Sequence, residues 1–148
     1  MQYATAFPQE NWDPYLADII DIEARTDVSE FLVAEHDGEI VGCVSYYPPG
    51  GETSYPSDDF TMHWPTEWSA IRLLAVDPTI RKGGIGRALT EHCIERARSQ
   101  RAPAIGLHTT KEMEVARAMY ERMGFERAPE YDFEPSPDLL VEAYQLLL

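Results

Sequence analysis

Residues 81–86 read Arg-Lys-Gly-Gly-Ile-Gly, and they stand between an apolar run at 71–76 and a stretch of helical periodicity at 85–98. This part of the chain is thereby committed to strand, tight turn and helix. A glycine-rich turn at a helix start holds phosphate, because exposed amide N–H groups and the helix dipole both favour an anion. Glycine lets the backbone approach closely, and Arg81, Lys82 and Arg87 add positive charge. The turn predicts a phosphorylated cofactor.

The rest of the composition sets that turn apart. The chain has 148 residues and a formal charge of −14, yet three of its twelve basic residues fall within 81–87 with no acidic residue between them. Local charge opposes global charge there, as an anion site on an acidic protein requires. The overall charge argues against general nucleic-acid binding, which needs clustered Lys and Arg, and favours cationic acceptors such as amines. At 44% hydrophobic and 26% charged residues the composition is that of a soluble globular domain. No apolar run approaches the roughly 20 residues of a membrane span, and no secretory signal pattern opens the sequence, so the expectation is a cytoplasmic protein without membrane contact. Cys43 lies in a strand-like run and Cys93 on an apolar helix stripe, without Cys-x-x-Cys spacing or a His pair. Both read as core residues, and neither a disulfide framework nor a metal site is indicated.

Periodicity supplies the other elements. Residues 2–6 suit a short first strand, and Asp13-Pro14 opens a helix with Leu16, Ile19 and Ile20 on its apolar side. Two β-like runs, 31–35 and 39–47, join through Asp37-Gly38, a strong hairpin signal. Residues 48–68 lack periodicity and read as a long surface loop of the kind that is often functional. A strand at 69–76 ends at Asp77-Pro78, and Ile85, Leu89, Cys93 and Ala97 then line one helix face. After a strand at 104–107, Thr109 and Glu112 match a capping box, Val115, Met119 and Met123 give a helical stripe, and Gly124 stops it. Strands at 125–133 and 141–147, separated by Pro135-Ser136-Pro137, close the chain. The pattern is one α/β domain over residues 1–148 around a mixed sheet.

Two familiar phosphate-binding motifs do not fit. The dinucleotide fingerprint needs a third glycine where Leu89 stands, and Walker A needs Gly-Lys-Ser/Thr where Gly86-Arg87-Ala88 stands. Instead, Arg81-x-x-Gly84-x-Gly86, introduced by Leu74-Ala75-Val76-Asp77-Pro78, resembles the acyl-CoA signature of the GNAT superfamily of N-acetyltransferases. Ala116 to Phe125 resembles that family's Ala-x-x-x-Tyr-x-x-x-Gly-Phe element, and the two lie in the family's order. Met113 departs from the pattern, standing where many members carry Asn.

The resemblance implies a mixed, mostly antiparallel central sheet of about six to seven strands flanked by helices. It also implies an N-acetyltransferase that moves an acetyl group from acetyl-CoA to a primary amine by direct attack in a ternary complex, without a metal. An alkylammonium has a pKa of about 10.4, so roughly one molecule in two thousand is nucleophilic at pH 7, and the site must help deprotonate it. Tyr120 takes the matching position for the general acid that protonates the CoA thiolate. Leu74, Ala75 and Val76 would supply backbone contacts to the oxyanion and pantetheine. The amides of Lys82, Gly83, Gly84, Ile85, Gly86 and Arg87, aided by the Arg81 and Arg87 side chains, would hold the pyrophosphate, with Ala116 and Tyr120 lining the cofactor.

For the general base the residues leave a choice. Glu67, just before the reacting strand, stands first, ahead of Asp58, Asp59 and His63 in the preceding loop, and a water chain is the alternative to all four. His108 at a strand end could approach the cleft, though a structural role suits it better. Trp64 and Trp68 suit either a cationic pocket or an anchor tying the loop to the core. The competing functional class is a non-catalytic acyl-CoA binding or sensing domain, which would keep the glycine turn without needing Tyr120. The ends of the final strands are candidates for pairing in a homodimer.

Overall fold

In the computed structural model, residues 29–50 and 64–148 are described. The expected strand at 2–6, the helix after Asp13 and the middle of the 48–68 loop lie outside them. The first hairpin forms where the sequence signals it. Strands β1 (Glu30–His36) and β2 (Glu39–Tyr47) pair antiparallel through His36 and Glu39. Asp37 and Gly38 between them have φ of 51° and 82°, so both central residues are left-handed, as a two-residue type I′ turn demands.

Seven strands form the sheet among the described residues. β3 (Ser69–Val76) follows β2, then β4 (Ala104–Thr109), β7 (Leu139–Leu147) and the two-residue β5 (Glu126–Arg127), while β6 (Phe133–Ser136) pairs with β7 off this path. Every pairing is antiparallel except β3 with β4. The sheet is therefore mixed and mostly antiparallel, flanked by helices α1 (Ile85–Ser99) and α2 (Glu114–Arg122).

Alternation along the strands splits the core into two faces. On one face, Val44, Tyr46, Ile71, Ile105 and Leu107 pack with Leu89, Cys93, Ile94 and Ala97 of α1 and with Tyr120 of α2. Close approach of α1 depends on Gly42, where a Cβ would stand 3.0 Å from Ile85 Cγ2 and 3.2 Å from Leu89 Cδ1. On the opposite face, Tyr47, Trp64, Ala70, Ala128 and Ala143 pack together with Trp68 and Tyr131. Trp64 lies against Gly106, whose missing side chain makes room for the indole. Among the described residues no helix is long and apolar enough to cross a membrane.

Two local expectations fail. Thr109 and Glu112 form no capping box: the ladder between β4 and β7 continues to Thr109 opposite Glu142, which holds Thr109 in the sheet. The helix instead begins at Glu114 behind Met113, which gives no side-chain cap. The single strand expected over 125–133 is two pieces, because Pro129 fixes its φ, lacks an N–H and starts a 3₁₀ turn over Pro129–Tyr131. Ser136 belongs to β6, and the chain reverses after it, at Pro137 and Asp138.

Candidate functional site

β3 is where the sheet becomes irregular on both edges. It pairs with β4 only at Ser69 with Ile105 and Ala70 with Gly106, and beyond these the two parallel strands diverge. Toward β2, Cys43 pairs with Ala75 and Ser45 with Arg72, so three steps along β3 match two along β2. The extra residue is Leu73, whose φ of 57° is the left-handed conformation that a leucine seldom adopts. Leu74, Ala75 and Val76 thus occupy the bulged end of β3, where it has left β4. Nothing in the sequence marks Leu73, since left-handed residues are normally sought at Gly, Asn or Asp.

The glycine turn follows directly. Asp77 accepts hydrogen bonds from the Thr79 amide (2.9 Å) and hydroxyl (2.7 Å), which hold its carboxyl below the usual range and start a 3₁₀ turn over Pro78–Gly83. Gly84 then adopts φ 70°, ψ 21° and is the N-cap of α1, but offers no side chain to cap it. No acidic residue lies in the first turn of α1. The amides of Ile85, Gly86 and Arg87, which lack intrahelical acceptors, are left with the positive end of the dipole. Arg87 is exposed, and its Nε donates to Glu91 Oε1 at 2.8 Å. The side chains of Arg81 and Lys82 lie outside the description.

Gly86 is the point where the separate segments meet. A Cβ there would stand 3.5 Å from Val76 Cγ2, 3.8 Å from Leu74 Cδ2 and 3.7 Å from Met119 Sδ. The end of β3, the first turn of α1 and the face of α2 therefore touch at one residue. Ala116 and Tyr120 stand one turn apart on α2, the first half-buried and the second 5% exposed. Tyr120 packs edge-on to Phe125 with ring centroids 5.7 Å apart. Burial pushes its phenol well above the ordinary tyrosine range, so the proton stays on the oxygen at any physiological pH. Gly124, at φ 99°, ends the helix and turns Phe125 back to donate to the Tyr120 carbonyl.

Other expected residues stand elsewhere. Glu67 is exposed in the turn before β3, where the Trp68 amide donates to Pro65 O. It precedes Leu74 by seven positions in the chain. Asp58, Asp59 and His63 lie outside the described residues. Trp64, 4% exposed, stacks on Trp68 at 5.5 Å and lies 4.8 Å from Tyr131, which fits an anchor rather than an open pocket. His108 belongs to the same packing: its ring lies 4.9 Å from Trp64 and 5.2 Å from Phe133, and Nε2 is 2.8 Å from Tyr131 O. Burial pushes its pKa down to about 4, and the Arg72 and Arg127 charges add to that.

Comparison with known proteins gives concordant matches. The family model described as Acetyltransferase (GNAT) family matches residues 1–125. A mycothiol acetyltransferase of Acidothermus cellulolyticus is 32% identical over 103 residues, covering 70% of this chain and 32% of that protein, so the chain spans about a third of that relative's length. An IAA acetyltransferase of Azospirillum brasilense is 29% identical over 141 residues, covering 86% of this chain and 81% of that protein. A crystal structure of a GNAT-family acetyltransferase from Staphylococcus aureus Mu50 superposes with a TM-score of 0.68 at 22% identity, over 92% of this chain and 79% of its own.

Proposed function

Because the chain belongs to the GNAT acetyltransferase family, we propose that it is a single-domain N-acetyltransferase that moves an acetyl group from acetyl-CoA to a primary amine, of a small molecule or a protein, in a ternary complex. The observation that carries this reading is the convergence at Gly86 of the diverging end of β3, the uncapped start of α1 and the Tyr120 helix. Each part has a separate task. The amides of residues 82–87, with Arg81 and Arg87, receive the pyrophosphate. The backbone of Leu74, Ala75 and Val76, released from β4, supplies N–H and C=O groups to the pantetheine and to the oxyanion of the tetrahedral intermediate. Ala116 leaves room for the thiol end of the cofactor, and Tyr120 donates to the departing thiolate.

A thiol has a pKa of about 8.5, well below that of a buried phenol, so complete proton transfer from Tyr120 is uphill. Tyr120 acts mainly as a hydrogen-bond donor that stabilises developing negative charge on sulfur. Glu67, in the turn just ahead of β3, is the candidate base, with a water chain as the alternative to it. The −14 charge supports a cationic acceptor. So does a recess beside the β6–β7 hairpin, where Glu112, Glu134, Asp138 and Glu142 face one lysine, Lys111. Exposed Leu140 and Leu147 on β7 support pairing of two copies, which sedimentation at micromolar concentration checks.

Thiol release from acetyl-CoA with a panel of amines tests the reaction. Tyr120→Phe should lose about 10²-fold in kcat, the low end for an acid–base group. Full activity of that variant across pH would remove Tyr120 from the chemistry. CoA binding without acetyl transfer to any amine or peptide would favour a binding or sensing domain instead.

A further inference from the structure

Arg87 is the third residue of α1, and a helical side chain leans toward the N-terminus, so Arg87 sets out toward the helix start where the pyrophosphate would sit. Its guanidinium does not stay there. Nε donates to Glu91 Oε1 at 2.8 Å, and Glu91 stands about 6 Å further along the helix axis, at a rise of about 1.5 Å per residue. The hydrogen bond therefore draws the guanidinium back over the second turn, away from the uncapped amides of Ile85 and Gly86. Glu91 is the first acidic residue of α1, and the two side chains are 58% and 53% exposed, so the contact forms in solvent rather than in the core. With arginine before glutamate the pair also has the less favourable i,i+4 orientation. Such a contact yields to a stronger anion.

We propose that Glu91 is a positioning residue that holds the Arg87 guanidinium back from the start of α1, so that CoA binds by drawing Arg87 away from Glu91. The inference rests on the acyl-CoA reading above and adds Glu91 to it. A pyrophosphate offers several charged oxygens to the planar fork of an arginine, whereas Glu91 engages Nε alone, so the exchange favours the cofactor. The broken pair still subtracts from the affinity. A cofactor that must leave as CoA after each transfer departs more readily for it, and Glu91 thereby tunes release as well as binding.

Calorimetric titration with CoA of the wild type, Glu91→Ala, Arg87→Met and the double variant tests this. Alanine keeps the helix and offers Arg87 no acceptor. An exposed i,i+4 ion pair is worth about a twofold factor and the like charge beside the phosphates adds to it, so Glu91→Ala should bind CoA about 2- to 4-fold more tightly. Arg87→Met should bind it about 3- to 10-fold more weakly, through the loss of one charge-assisted contact. In the Arg87→Met background the gain from Glu91→Ala should shrink to less than about 1.5-fold, a coupling that altered helix stability or overall charge would not produce. Unchanged or weaker CoA binding by Glu91→Ala overturns the inference, and so does an equal gain in both backgrounds, which would make Glu91 a charge that repels the phosphates directly. Wild-type protein that does not bind CoA overturns the acyl-CoA reading and this inference with it, whereas wild-type binding with an indifferent Glu91→Ala overturns this inference alone.

Discussion

Lowering the pH from 7.5 to 4.5 should cost this protein about 2.5 kcal/mol through His108 alone. In the folded chain the ring is enclosed by Trp64 and Phe133, which favours the neutral form, and this outweighs the opposing effect of the hydrogen bond that Nε2–H donates to Tyr131 O. Its pKa falls from 6.5 to about 4, with burial as the largest cause. Between these values the unfolded chain binds a proton that the native chain refuses, so stability falls as pH falls. The contribution is fully present above pH 6.5 and is lost as pH drops toward 4, with a steepest slope of about 1.4 kcal/mol per pH unit. Integration from pH 7.5 to 4.5 gives the figure above, out of a full loss of about 3 kcal/mol. Urea unfolding at half-unit pH steps measures it, with His108→Gln as the reference, because glutamine keeps a donor for Tyr131 O and does not titrate. The Glu30 and Asp132 carboxyls, held low first of all by hydrogen bonds from Arg96 and Arg127, also lose stability in acid. They do so in both proteins and largely cancel in the difference. If wild type and variant keep the same pH dependence to within about 0.5 kcal/mol, His108 is not the buried neutral group described and the argument fails.

Gly106→Ala should destabilise by about 1–3 kcal/mol, since the new Cβ would stand 2.6–2.8 Å from three Trp64 ring atoms; chemical unfolding reads the loss, and Trp64→Leu in the same chain should recover part of it. Gly84→Ala should cost about 1 kcal/mol and Gly84→Asn less, because φ is 70° there while the space around the Cβ is open; equal midpoints for all three proteins would contradict the left-handed cap. Cys93 is fully buried with its thiol pushed up to about 12 by burial, so in a Cys43→Ser background it should react with a disulfide reagent only as fast as the protein unfolds; rapid native labelling would refute its burial.

Legibility in the sequence follows the range of each signal. The Asp37-Gly38 turn, strands β2 and β3 and the start of α1 are set by residues within a few positions of one another, and they form where composition and periodicity place them. The Thr109–Glu112 capping box fails because a pairing with Glu142, more than thirty residues away, outcompetes it. The seat of Trp64 on Gly106 is likewise invisible, because it joins a loop residue to a strand interior across the sheet. Of the candidate site, the glycine turn and Tyr120 are legible as motifs, but their contact through Met119 and Gly86 is a product of packing.

The bulge at Leu73 shows how one unmarked residue can shape the whole site. Strict alternation from Ile71, which faces the helices, would send Leu73 and Ala75 to that side and turn Leu74 and Val76 away. One inserted residue reverses the phase, as any single-residue slip in a strand does. Leu74 joins the helix-side core, and both Leu74 and Val76 close on Gly86 at the start of α1. The left-handed turn of the backbone costs about 1–2 kcal/mol at a leucine. In return, the last two residues of β3 remain paired with β2 at Gly42 and Cys43 while departing from β4. A regular strand could not do both, because continued pairing with β4 would consume the edge that an extended cofactor needs. The strain at Leu73 is therefore a condition of the proposed cofactor site, and the turn at residues 81–86 depends on it for its position beside the reacting strand.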